Sequence, residues 1–165
     1  MDVAEVASKM GVPPAEAIER LRPAGAIYFA MDEADVQRIL AFEPTMVGSD
    51  GLPHDAAPHP RLWNSFPRVL GHYARDLGLF PLETAVHKMT GLTATTFGLK
   101  DRGAVREGAY ADLTVFDAGT VGEAATFAHP IKPARGIESV IVNGSIVWAE
   151  GRPTGARPGR VLARA

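Results

Sequence analysis

The hydrophobic period of this 165-residue chain changes once, after Gly98, and that change limits the folds open to it. Before it, apolar residues recur at helical spacing. Val3, Val6, Ala7 and Met10 predict a helix stopped by Gly11, and Ala17, Ile18 and Leu21 predict a second one opening at Pro13-Pro14 and ending before Pro23. Asp32 is a good N-cap for a third, lined by Val36, Ile39 and Leu40 and closed before Pro44. Phe66, Leu70, Tyr73 and Leu77 predict a fourth. Pro81 through Met89 predict a fifth stopped by Gly91, with a shorter helical stretch around Ala94 to Phe97. After Gly98 the pattern alternates: Ala104-Val105, a turn at Arg106-Glu107-Gly108, and a strand over 111–117. Ile137 to Val142 and Ser145 to Trp148 flank Asn143-Gly144, the dipeptide that favours a type I′ hairpin because both its residues tolerate positive φ.

Two short apolar runs, Ala26–Phe29 and Thr45–Val47, bracket the third helix and read as buried strands. Strand, helix and strand in about twenty residues make a βαβ unit, whose parallel strands must be covered on both faces. The expected architecture is therefore α/β up to residue 103 and β from 104 to 165. A loop over 51–65 follows the second strand, rich in proline and histidine. Loops of this length in compact domains are often functional.

Composition narrows the partners. Hydrophobic residues at 46% and charged residues at 22% are those of a globular domain. A net charge of −2 with both signs interspersed gives no basic track for nucleic acid. No stretch approaches the ~20 apolar residues of a membrane span, and Met1-Asp2-Val3-Ala4-Glu5 does not open a secretion signal, so no membrane is expected and a cytoplasmic location is. The absence of cysteine excludes disulfides, a thiol nucleophile and thiolate metal ligands within these residues.

The chemistry-bearing position is Asp50, in Gly48-Ser49-Asp50-Gly51 at the end of the second predicted strand. Ligand sites of α/β sheets and barrels gather at such strand ends. The same four residues also suit an Asx turn, and the residues alone leave both readings open. His54 and His59, five apart in a proline-rich loop, have neither the i, i+2 spacing of a strand pair nor the i, i+4 spacing of a helical one. They read as loop braces or substrate contacts rather than metal ligands. His72, His87 and His129 read as packing or surface residues, and Ser49 and Ser65 have no base at motif spacing.

Met46-Val47-Gly48-Ser49-Asp50-Gly51, then Pro58-His59-Pro60-Arg61 and Phe66-Pro67-Arg68-Val69-Leu70, resemble the last barrel strand and following loop of the D-aminoacylases. The resemblance extends through Met89–Ala94, Gly98–Gly103, Gly108–Asp117 and Val140–Gly144, covering roughly residues 10 to 165. The Ala-Asp-Leu-x-Val-Phe-Asp and Val-Asn-Gly segments are similar to the β-domain of amidohydrolases at large, hydantoinases and dihydroorotases included.

The resemblance implies the last two βα units of a metal-dependent-hydrolase (β/α)8 barrel, plus strands of a small β-sandwich domain. It implies hydrolysis of N-acyl-D-amino acids, with Asp50 as the carboxylate that moves a proton between the attacking water and the departing amine. Ser49, Gly51, His59 and Arg61 are the expected substrate-binding positions. The family's zinc lowers the pKa of bound water to about 7, but its His-x-His pair, cysteine and later histidines have no matching positions here, so no metal ligand is assigned. A barrel needs about 250 residues. The expected partner is accordingly a missing N-terminal half, or a second copy of the chain, besides the small-molecule substrate. Another amide or cyclic-amide hydrolase of the superfamily, and a non-catalytic β-domain module in which Asp50 is a relic, are the competing readings.

Overall fold

The structure is a computed structural model that describes residues 1–52 and 56–162. They form two compact units, Met1–Ala30 and Met31–Ala165.

In the first unit α1 (Val3–Met10) packs on α2 (Pro14–Arg20). Asp2 and Glu5 close a reciprocal capping box on α1, the Asp2 carboxylate accepting from the Glu5 amide at 2.8 Å and the Glu5 carboxylate from the Asp2 amide at 3.1 Å. Gly11, left-handed at φ 65°, ends the helix as its sequence position predicts. Residues 21–30 are exposed, and Ala26–Phe29 form no strand. A buried parallel strand needs partner strands on its edges, and none of the described residues offers one.

Among the described residues the second unit holds four α-helices, one π-helical segment and one sheet. Helix α3 (Glu33–Ala41) starts at Asp32, whose carboxylate accepts from the Ala34 amide at 2.8 Å. Thr45–Val47 leads away from it half-buried but, like Ala26–Phe29, joins no ladder, so the predicted βαβ unit is present only as its helix. Helix α4 (Arg61–Arg68) begins five residues before Phe66, where the predicted helix opens, because Pro60 already has the φ of a helical first turn, −53°. Pro67 has no N–H for the Trp63 carbonyl, and directly after it the chain continues as a π-helical segment, Val69–Asp76. Helix α5 (Leu82–Met89) ends at Thr90, and Gly91 opens α6 (Gly91–Phe97) instead of acting as a stop.

The sheet is antiparallel in chain order, β1 (Leu113–Phe116), β2 (Ile137–Val142), β3 (Ser145–Ala149) and β4 (Arg152–Pro153). The hairpin between β2 and β3 turns at Asn143 and Gly144, both at positive φ, 46° and 80°, and pairs Val142 with Ser145. The alternation at Ala104-Val105 makes no strand, and β4 has no counterpart among the predicted elements. Arg102 ties the two β motifs together. Its guanidinium pairs with the Asp112 carboxylate, donates to Asn143 Oδ1 at 2.7 Å and stacks 4.3 Å from the Tyr110 ring, while Asp112 accepts the Asn143 amide at 2.8 Å. Among the described residues no helix is long and apolar enough to cross a membrane.

Helices and sheet share one core of Val69, Leu70, Tyr73, Ala74, Phe80, Ala85 and Val121, with Leu40, Met89, Phe116 and Ile137 packed against it. The link that closes it is the segment 121–125. Val121 is fully buried, and its backbone lies so close to Gly71 and Gly136 that a β-carbon on either glycine would collide with it. Asn64, buried in α4, holds the same segment at three points. It donates to the Ala125 carbonyl at 2.6 Å and accepts the amides of Ala124 and Ala125 at 3.2 and 3.1 Å. Asn64→Ala strands those three backbone groups away from water, which costs about 1–3 kcal/mol. The expected outcome is a lower urea midpoint with an unchanged slope.

Candidate active site

The path of the chain into the site is set by α5. Lys88, 2% exposed, points its ammonium at the C-terminal end of α3 and the residues just after it, donating to the carbonyls of Phe42 at 2.6 Å, Glu43 at 3.1 Å and Thr45 at 3.4 Å. A cation at a helix C-terminus answers both the unsatisfied carbonyls and the negative end of the dipole. Lys88 also accepts the Val47 amide on its own carbonyl at 3.3 Å. Burial lowers the pKa of the ammonium, against the opposing pull of the Glu43 carboxylate. Sequence reasoning overlooked this residue, although Lys88 lies three positions after the buried Ala85 and so on the inward face of α5.

Three residues beyond Val47 the chain reaches Asp50 in a left-handed conformation, φ 46°. Aspartate is one of the few residues that tolerates this region. The Ser49 hydroxyl accepts the Gly51 amide at 3.2 Å, closing a small turn around it. Arg61, the first residue of α4, then grips Asp50 twice. Its Nε donates to the Asp50 carbonyl at 2.9 Å, and its Nη2 lies 2.8 Å from the carboxylate Oδ2. Gly51 allows the approach, since a β-carbon there would lie 2.8 Å from Leu62 Cδ1 and 2.9 Å from Leu62 Cα.

His59 completes the group. Its Nδ1 accepts the Arg61 amide at 3.0 Å, so the ring's proton sits on Nε2, and its edge packs on Phe127 with centroids 5.3 Å apart. Burial first, and the Arg61 charge second, lower the pKa of this imidazole below the ordinary 6.5. Asp50, Ser49, Gly51, His59 and Arg61 are thus brought together from both ends of the loop. The Asp50 side chain is 80% exposed, a tethered carboxylate facing outward that can take a proton from, or return one to, a molecule resting on the turn.

The other singled-out residues lie elsewhere. His54 falls outside the described residues. His72 packs edge-on against Tyr73, His87 lies beside Gly91, His129 closes a tight turn with Thr126, and the Ser65 hydroxyl donates to the Arg61 carbonyl within α4. No three His, Cys, Asp or Glu side chains among the described residues converge to hold a metal ion. The donor set near Asp50 does not fit one either, since its nearest charged neighbour is the Arg61 guanidinium.

The profile of the amidohydrolase family matches residues 4–148. Over 99% of its length the chain is 66% identical to a D-aminoacylase of Alcaligenes xylosoxydans xylosoxydans, and over 98% it is 56% identical to an N-acyl-D-glutamate deacylase of the same organism. It spans about a third of the length of each, 34% and 33%. Among solved structures, a D-aminoacylase studied for its binuclear metal centre superimposes with a TM-score of 0.92 at 64% identity, over 99% of this chain and 35% of that one. An N-acyl-D-glutamate deacylase from Bordetella bronchiseptica, complexed with zinc and a phosphonate inhibitor, superimposes with a TM-score of 0.90 at 52% identity, over 99% and 34%.

The His59 environment predicts a pH signature. With its folded pKa depressed, the imidazole favours folding above its ordinary 6.5, and that contribution is lost as pH falls through the folded value. An NMR titration should place the His59 midpoint below 6.5. Arg61→Met, which deletes the charge and leaves the burial, should move it only part of the way back.

Proposed function

The chain belongs to the amidohydrolase family, and we propose that it contributes the proton-transfer carboxylate of an N-acyl-D-amino-acid deacylase. The observation that carries this reading is the Asp50 turn. A lone carboxylate is held in left-handed backbone at the end of an apolar segment, latched at both its carbonyl and its side chain by Arg61. A turn serving only to reverse the chain has no use for a charged side chain that is 80% exposed and yet fixed in place.

In the reaction, water adds to the amide carbonyl while Asp50 takes one of its protons. The same proton then goes to the amide nitrogen, the C–N bond breaks, and the second water proton passes from the new carboxylic acid to the departing amine, so a carboxylate and a D-amino acid with a protonated amine leave. Ser49 and Gly51 shape the turn under the substrate, while Arg61 and His59 line its side. The relatives named as D-aminoacylase and as N-acyl-D-glutamate deacylase favour this substrate class over cyclic amides and over a non-catalytic module. Zinc accompanies the Bordetella enzyme, and the described residues of this chain offer no donor set for it.

The architecture we propose alongside has residues 1–103 as the last two βα units of a (β/α)8 barrel and 104–165 as part of a small β-sandwich domain, with Ala26–Phe29 and Thr45–Val47 becoming strands once neighbouring strands flank them. Its partner is the remainder of such a barrel or, failing that, a second copy. Ile27 and Tyr28 are 46% and 84% exposed, and apolar segments of this kind seek cover. Sedimentation of the isolated chain should show concentration-dependent association. A monomer at high concentration that also shows no dye-detectable apolar surface would refute this need for cover.

The function is tested in a protein completed with the remaining two thirds of the Alcaligenes D-aminoacylase, assayed on N-acetyl-D-methionine. Asp50→Asn keeps the shape and the left-handed turn but cannot accept a proton. It should lower kcat by about 10²–10⁴-fold with melting temperature unchanged, whereas His59→Ala should act mainly on KM. Retention of more than about a tenth of kcat by Asp50→Asn would return Asp50 to a turn residue.

A further inference from the structure

We propose that Lys88 is a positioning residue for Asp50, acting by fixing the route of residues 42–47. The inference rests on the proton-transfer reading of Asp50 for its kinetic consequence and on geometry alone for its structural one. Lys88 is the charged residue buried most deeply in the core, at 2% exposure, and it forms no ion pair among the described residues. Its ammonium instead donates to three carbonyls of one short stretch of backbone, those of Phe42, Glu43 and Thr45. A buried ammonium is costly to desolvate, and an apolar side chain of similar length would fill the space among Phe80 and its neighbours without that cost.

What the ammonium supplies and a methionine cannot is direction. Three fixed acceptors determine where the chain leaves α3, and the Lys88 carbonyl takes the Val47 amide two residues further on. Side chain and backbone of one residue therefore grip the segment at both ends. Between Val47 and the Arg61 latch on Asp50 only Gly48 and Ser49 intervene, so a sideways shift at Val47 passes almost undamped to the carboxylate. Proton transfer is intolerant of such shifts, since misplacement by about 1 Å can cost 10²-fold.

The first experiment uses the chain itself. In Lys88→Met, amide hydrogen exchange at Val47 should speed up at least about tenfold relative to the parent while β2 and β3 keep their protection. Unchanged exchange at Val47 would overturn the proposal. Should Lys88→Met lose protection in β2 and β3 as well, the chain's lack of cysteine supplies a second variant. Lys88→Cys, alkylated with 2-bromoethylamine while unfolded and then refolded, regains an ammonium of nearly the same reach. Return of Val47 protection supports the clamp, and its failure to return refutes it.

The second experiment uses the completed deacylase. Lys88→Met should lower kcat about tenfold with little change in KM, and should lower it no further when combined with Asp50→Asn, because a residue that acts through another has nothing left to act on. Additive losses would show that Lys88 does not work through Asp50. If Asp50→Asn alone left kcat intact, the deacylase reading would fall, while the exchange result at Val47 would still decide the clamp.

Discussion

The second compact unit depends on a close backbone approach at Val121. Helical and β parts of a chain can share a core only if some segment passes between them without leaving polar groups unpaired, and residues 121–125 do this. Gly71 and Gly136 remove the side-chain bulk on either side of Val121, Arg75 donates to its carbonyl at 2.7 Å, and Asn64 satisfies the backbone of the residues that follow. Arg68, paired with Glu123 at 2.6 Å and stacked on Tyr73, braces the same join from its outer side. Because Asn64 and Arg61 lie on one helix, fixing that join also fixes the residue that latches Asp50.

The turn at Asp50 is thus held from two directions. One comes through α4, by way of Arg61. The other comes through α5, by way of Lys88 and the Val47 amide. Neither path needs a regular strand beneath it, which is how a site geometry persists here although Thr45–Val47 joins no sheet.

Local rules were legible in the sequence wherever a local rule decides. The Asp32 cap, the Gly11 stop and the Asn143-Gly144 hairpin each depend on conformational preferences of a few adjacent residues, and each lies where the residues indicate. Ala26–Phe29 and Thr45–Val47 look like strands in the sequence because their composition suits burial between neighbours. Strand formation is a property of pairs, and the pairs are not among these residues. The loop is shorter than the sequence predicts because Arg61–Ser65 lacks an apolar period, while Pro60 starts a helix irrespective of period. Gly91 suits a stop by its position in the sequence, but its value is closeness, its backbone lying against His87 and Gly103. Within the site, the grouping of Asp50 with His59 and Arg61 came from motif blocks, whereas Lys88 was overlooked because a lysine is ordinarily taken for solvent-facing and its acceptors are backbone carbonyls more than forty residues away.

The left-handed backbone at Asp50 changes what an alanine scan of this surface would mean. At φ 46° a residue without the short polar side chain of aspartate or asparagine pays in backbone strain, as it would at Asp101 and Asn143, which share that region at 55° and 46°. Truncation at any of the three would report the discomfort of the main chain together with the loss of the functional group, and the two could not be separated afterwards. Residues at this surface are interpretable only against replacements that the backbone accepts, so the informative alphabet for these positions is asparagine, aspartate and glycine.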